Sequence, residues 1–165
     1  MKTPDGGRTG PLAGAFAGGL RAECARRISM QGNRAMGESG KPRILVADDV
    51  DAMRQTTLLF LRLEGYEPFG AGSGRTAIDL MEQDDFDLAL LDIGMPVIDG
   101  IGVVEHMKSK DRLRDVPIIM ITGSMDASHV LRCKTLGVTD YMVKPYKFAD
   151  LLKRIQMTLG RKASG

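Results

Sequence analysis

Five residues scattered along this chain, Asp48, Asp49, Asp92, Thr122 and Lys144, are of types that together handle phosphoryl groups. Carboxylates gathered in one place repel, and a hard divalent cation relieves the repulsion. Mg2+ suits a few carboxylates together with a backbone carbonyl, waters and a phosphoryl oxygen. A cation, an ammonium and a hydroxyl around a further carboxylate then stabilise the negative charge that phosphoryl transfer spreads over its equatorial oxygens. In that arrangement Asp92 attacks phosphorus in line and forms an acyl phosphate, with Mg2+ bridging Asp49, Asp92 and the phosphoryl group. Lys144 and Thr122 each contact a phosphoryl oxygen.

The segments that must bring these residues together are legible from their patterning. Short apolar runs alternate with helical periodicity from Arg43 onward, which predicts βαβ units and a parallel sheet. The expected strands are Ile44 to Ala47, Tyr66 to Gly70, Phe86 to Leu91, Val116 to Ile121 and Asp140 to Val143. The run Leu88 to Leu91 shows no polar alternation, as in a strand covered on both faces, and Pro68 puts the second strand at an edge. Asp51 is expected to cap the first helix, with Met53, Thr57, Phe60 and Leu61 toward the sheet and Gly65 as its stop. Ser73 caps a helix to about Gln83, with Ala77, Ile78 and Met81 inward. Gly102 to Lys108 and Ala127 to Leu136 form the next two helices. The last has Phe148, Leu151, Leu152, Ile155 and Leu159 on one face. In a right-handed doubly wound α/β sheet the carboxyl ends of the strands converge on one edge, so the five residues share one pocket.

Composition bounds the rest. A chain of 165 residues with 43% hydrophobic content holds one domain with a real core. Residues 1–40 carry 9 of the 20 glycines and 6 Lys/Arg against 3 Asp/Glu, leaving 17 against 18 beyond them. That glycine- and arginine-rich extension is expected to be disordered, with Met30 and Met36 as alternative starts, and residues 161–165 to form a short tail. The near-neutral remainder gives no electrostatic case for nucleic acid. Cys24 and Cys133 do not suggest a disulfide framework, and no apolar run approaches a membrane span, so a cytoplasmic protein is expected.

The residues named so far, in their order, resemble a response-regulator receiver domain of bacterial two-component signalling. The resemblance rests on Asp48-Asp49, the segment from Asp92 through Gly100, Ile121-Thr122-Gly123, and Asp140 through Pro145, and it covers about residues 41 to 160. It implies a flavodoxin-like (βα)5 fold with a five-stranded parallel sheet in the order 2-1-3-4-5. It also implies Asp92 as phosphoacceptor, Asp49 as a direct Mg2+ ligand, Asp48 as an outer-sphere or second ligand, and the carbonyl of Gly94 as another. Thr122 and Tyr141 would be the switch pair, Thr122 moving toward the phosphoryl group and Tyr141 rotating inward. The face made by the fourth helix, fifth strand and fifth helix would then change. The implied donor is a sensor histidine kinase or a histidine phosphotransfer protein, and the output is a protein contact or onward transfer in a phosphorelay. With no room for an output domain after Leu159, a stand-alone receiver is expected. It would not be an enzyme beyond self-catalysed phosphorylation and dephosphorylation.

Two other readings are weighed against this one. A phosphohydrolase of the haloacid dehalogenase type also combines Asp, Mg2+, Thr and Lys, but there the nucleophile comes first, within Asp-x-Asp, whereas here the acidic pair comes first. A phosphorylation-independent interaction module is the other alternative. His106 and His129 lack metal-ligand spacing. The segment Gly70 to Thr76 lacks the lysine of a P-loop and reads as a strand-to-helix turn. Gly94 and Ser124, each two residues beyond a site residue, are small and flank the family's path for a hydrolytic water.

Overall fold

The computed structural model describes residues 40–123, 126–138 and 140–162. The expected disorder of 1–40, the alternative starts, Cys24 and Ser124 lie outside the described residues, apart from Gly40. Five strands alternate with five helices: β1 (Arg43–Ala47), α1 (Asp51–Leu63), β2 (Glu67–Ala71), α2 (Gly74–Gln83), β3 (Leu88–Asp92), α3 (Gly100–Lys108), β4 (Ile118–Thr122), α4 (Ala127–Thr135), β5 (Asp140–Val143) and α5 (Phe148–Lys162). α5 thus runs two residues past the expected start of the tail.

All strand pairs are parallel, in the order β2-β1-β3-β4-β5, which is the doubly wound order that the resemblance implies. Alternate side chains of each strand point to opposite faces, and this sorts the core into two halves. Leu45, Ala89, Leu91 and Met120 pack with Ala77, Ile78 and Met81 of α2 and Val103, Val104 and Met107 of α3. Ile44, Val46, Leu90, Ile119 and Met142 pack with Leu58 and Leu61 of α1 and Leu151, Ile155 and Leu159 of α5. Every residue of β3 and β4 is buried, as expected of central parallel strands.

Two details of α1 differ from expectation. Its buried positions are Thr57, Leu58 and Leu61, while Met53 and Phe60 are half-buried; Phe60 still packs against the core and stacks on Phe148 at 4.7 Å between ring centroids. Asp51 is not the cap: Val50 occupies the N-cap position with no side-chain bond, and Asp51 is the first helical residue. The helix starts one residue earlier than a cap at Asp51 requires, since the Arg54 N–H donates to the Val50 carbonyl at 3.0 Å, and the Asp51 carboxylate pairs with the Arg54 guanidinium instead. An acid in the first turn still favours the helix dipole. Elsewhere the punctuation holds. Gly65 ends α1 at φ +90°, and Ser73 Oγ accepts from the Thr76 N–H at 3.1 Å.

Candidate functional site

The strand register decides which residues meet. Ala47 of β1 is opposite Leu91 of β3, so Asp48 and Asp92 follow side by side; Asp92 is opposite Ile121, and Thr122 opposite Val143. The Lys144 N–H donates to the Thr122 carbonyl at 2.7 Å, which carries the lysine past the end of β5 onto the same edge. Asp48 and Asp92 are each 5% exposed and Thr122 4% exposed, whereas Asp49 stands in solvent.

Their side chains are coupled. Lys144 Nζ donates to Asp48 Oδ2 at 2.8 Å and to Asp92 Oδ2 at 2.7 Å. The remaining oxygens are met by backbone: Asp48 Oδ1 takes the Val50 N–H, and Asp92 Oδ1 takes the Gly94 N–H at 3.2 Å. Burial works against the Lys144 ammonium, but its hydrogen bonds to Asp48 and Asp92 outweigh that cost and hold its pKa above the ordinary value. One oxygen from each of Asp48, Asp49 and Asp92 lies within 4.8 Å of the others. Three hard oxygen donors this close, with only one ammonium among them, fit a divalent cation of the Mg2+ class. Gly94 leaves the approach open, since a Cβ there would lie 3.9 Å from Asp92 Oδ1.

Of the residues singled out from sequence, the structure brings Asp48, Asp49, Asp92, Gly94, Thr122 and Lys144 to one edge. Tyr141, opposite Met120, lies two strand positions further back than Thr122. Its half-buried ring packs against the core cluster and its hydroxyl donates to the Val138 carbonyl at 2.7 Å. Burial, with the neighbouring Cys133, pushes its phenol pKa up. Neither histidine joins the site; His106 pairs with Glu82 at 2.9 Å.

Sequence reasoning passed over two supports. Arg54 donates to the Asp48 carbonyl at 2.7 Å and so braces the turn that carries both β1 carboxylates. Its spacing of three from Asp51 was the available signal. Gly100 is the other. A Cβ there would stand 2.3 Å from the Asp92 carbonyl oxygen and 2.9 Å from its carbon, both backbone atoms that cannot give way. Gly100→Ala is therefore expected to destabilise the fold by about 2–3 kcal/mol, at the upper end for overpacking. The check is a lower urea midpoint at unchanged m-value.

Comparison with known proteins agrees with this fold. The family model of the response regulator receiver domain matches residues 44–156. Among curated relatives, the probable transcriptional regulator ycf27 of Galdieria sulphuraria is 37% identical over 121 residues, covering 73% of this chain and 46% of that protein. The transcriptional regulatory protein PdtaR of Mycobacterium tuberculosis H37Rv is 36% identical over 120 residues, 72% of this chain and 57% of its own. The chain thus spans about half the length of the curated relatives it matches. Among solved structures, the CheY-like receiver domain protein of Methanospirillum hungatei JF-1 superposes with TM-score 0.72 at 29% identity, covering 76% of this chain and 99% of that one. The receiver domain of sensor histidine kinase PA1611 from Pseudomonas aeruginosa PAO1, with a magnesium ion coordinated in its active-site cleft, gives 0.67 at 28%, covering 73% and 98%. An acidic pocket closed by a lysine, on a parallel sheet in the order 2-1-3-4-5 and within a segment that the family model spans, makes this chain a member of the response-regulator receiver family.

Proposed function

We propose that the chain is a Mg2+-dependent phosphoacceptor that takes a phosphoryl group from a histidine kinase or phosphotransfer protein onto Asp92. The observation that carries this reading is the placement of Asp92, 5% exposed at the end of β3 and bonded at 2.7 Å to Lys144. A carboxylate so oriented presents its second oxygen, held only by the Gly94 N–H, for attack on phosphorus. As the new O–P bond forms, the N–P bond to the donor histidine breaks and its electron pair returns to the imidazole. Lys144 is already charged at the site and needs no rearrangement to meet the incoming negative charge. The cation would be held by Asp48, Asp49, Asp92 and the Gly94 carbonyl, and would neutralise charge on the pocket and the phosphoryl group.

The signal would leave through α4, β5 and α5. Phosphorylation biases a surface only through contacts made in one state and not in the other. Thr122 is the residue suited to make such a contact, being buried beside Lys144 and joined to it through the backbone. Tyr141 lies two positions further back on the neighbouring strand, level with Met120, and the groove between β5 and α5 is lined by Tyr141, Val143 and Met157 with Lys147, Lys153, Asp140 and Asp150. An apolar floor with flanks of both charges suits a protein partner. Among the described residues no helix is long and apolar enough to cross a membrane.

The direct test is intact mass after incubation with Mg2+ and a small acyl-phosphate donor. One phosphoryl adduct that disappears on chelation is expected; no adduct with small donors or with histidine-phosphorylated proteins would sink the reading. Thr122→Ala should separate transfer from switching. Losing one hydroxyl contact to a charged phosphoryl oxygen slows adduct formation by roughly ten- to a hundredfold. It should at the same time shrink the phosphorylation-dependent amide shifts of α4 and β5 in NMR spectra.

A further inference from the structure

The exposed member of the acidic cluster is placed by its backbone. Asp49 stands in solvent between buried Asp48 and the start of α1, yet one of its oxygens lies within 4.8 Å of oxygens of Asp48 and Asp92. Its φ and ψ decide where that carboxylate points, and these angles follow from the planes of the two flanking peptides. Each plane is held by one hydrogen bond. The Asp49–Val50 peptide is held through its N–H, which donates to Asp48 Oδ1 at 2.9 Å. The Asp48–Asp49 peptide is held through its carbonyl, which accepts from Arg54 Nη1 at 2.7 Å.

Arg54 is built into this position. Its side chain is 15% exposed, and its other terminal nitrogen pairs with the Asp51 carboxylate, which offsets the guanidinium charge. The connection after β2 supplies the room. A Cβ on Gly72 would lie 3.3 Å from Arg54 Nη1 and 3.5 Å from its Cζ, tighter than ordinary contact for a guanidinium already tied at both ends. The glycine-rich segment from Gly70 to Thr76, which lacks the lysine of a phosphate loop, thus gives Arg54 its seat.

We infer that Arg54 is a positioning residue for the cation site: by fixing the Asp48–Asp49 peptide it aims the Asp49 carboxylate, and so sets how tightly Mg2+ is held. This inference rests on the reading of Asp48, Asp49 and Asp92 as the Mg2+ site of a phosphoacceptor. Groups that orient a metal's ligands without touching the metal are worth about ten- to a hundredfold in affinity. A bare positive charge near the site acts the other way, because it repels Mg2+ and its removal tightens binding. The sign of the effect separates the two roles.

The experiment measures the Mg2+ dissociation constant of the full chain from amide shifts in NMR spectra, with no phosphoryl donor present. The rate of adduct formation with acetyl phosphate is then followed across Mg2+ concentration. Arg54→Gln should bind Mg2+ about tenfold more weakly than wild type. Its rate should fall at low Mg2+ and come within about threefold of wild type once Mg2+ saturates the variant, since Asp92 and Lys144 are untouched. Arg54→Lys keeps a charged donor for the Asp48 carbonyl and should hold Mg2+ within about threefold of wild type. Gly72→Ala leaves the charge in place but crowds the guanidinium, and should weaken binding by roughly two- to fivefold. It decides alone if Arg54→Gln does not fold. Unchanged or tighter binding in these two variants would overturn the inference. So would a rate at saturating Mg2+ that falls as far as the affinity, which would place Arg54 in the transfer step. Binding by Arg54→Lys as weak as that of Arg54→Gln also overturns it, because the donor to the carbonyl would then not be what matters. A wild type that binds no Mg2+, or that gains no adduct from any donor, sinks the phosphoacceptor reading beneath it.

Discussion

Asp92→Asn is expected to abolish the phosphoryl adduct while leaving the fold standing. The amide has no anionic oxygen to attack phosphorus, so adduct formation by intact mass should drop by more than about a thousandfold, beyond detection. Stability should move little, because the charges around Asp92 oppose one another. Its attraction to Lys144 across 2.7 Å is about 6 kcal/mol at an effective dielectric near 20. Its repulsion from Asp48 at no more than 4.8 Å is about 3.5 kcal/mol or more on the same scale. Exposed Asp49 adds a screened share, and the variant no longer pays to bury a carboxylate. These contributions nearly cancel, and a melting temperature within a few degrees of wild type is the expected result. A variant that still gained one phosphoryl group would place the acceptor elsewhere. Partner binding that is unchanged by both the mutation and phosphorylation would favour an interaction module that does not need phosphate.

Most of this site was legible before any coordinates because each of its residues ends an apolar run. Strand ends are where a parallel sheet collects chemistry, and Asp48, Asp92, Thr122 and Lys144 each follow or close a run that the period of the sequence marks. Strand limits moved by one or two residues, as at β4, where the expectation of Val116 gave way to Ile118. What the sequence hid depends on neighbours that periodicity does not name. Leu58 is buried where Met53 was expected, because the inward arc of α1 is set by where α5 and β2 lie. Asp51 lost its cap role because the Arg54 N–H closes the first turn on the Val50 carbonyl, one residue earlier. Val97, at φ +69° just past β3, could not have been flagged, since a left-handed φ at a valine contradicts its own preference and arises from the residues fixed on either side, buried Met95 and core-packed Ile98. Gly100 was read as part of a turn signal, but its need to be glycine comes from the Asp92 backbone pressing on it.

The second large effect is expected at Lys144, and its value is that stability and chemistry should respond to Mg2+ in opposite ways. In Lys144→Met the ammonium that joins Asp48 and Asp92 is gone, leaving two carboxylates 5% exposed with no cation between them. Removing one partner from a buried pair costs about 3–5 kcal/mol, and because the lysine side chain is itself 20% exposed, solvent screening brings the expected cost below that range, to about 2–3 kcal/mol. A divalent cation neutralises the same carboxylates, and a ligand that binds only the folded state stabilises it by mass action. The variant should therefore be markedly less stable than wild type in chelator. It should gain more than wild type from millimolar Mg2+, and should bind the ion more tightly, because no ammonium competes for the oxygens. Phosphorylation should not recover with it. The ammonium that would meet the phosphoryl oxygens is absent at any Mg2+ concentration, so the rate should stay down by about a hundredfold or more even when stability is restored. Thermal melts and adduct formation followed across one Mg2+ titration give both answers. If the rate returns together with the melting temperature, Lys144 is only a counter-ion for the acidic pair, and the contact proposed for it with the phosphoryl group is wrong.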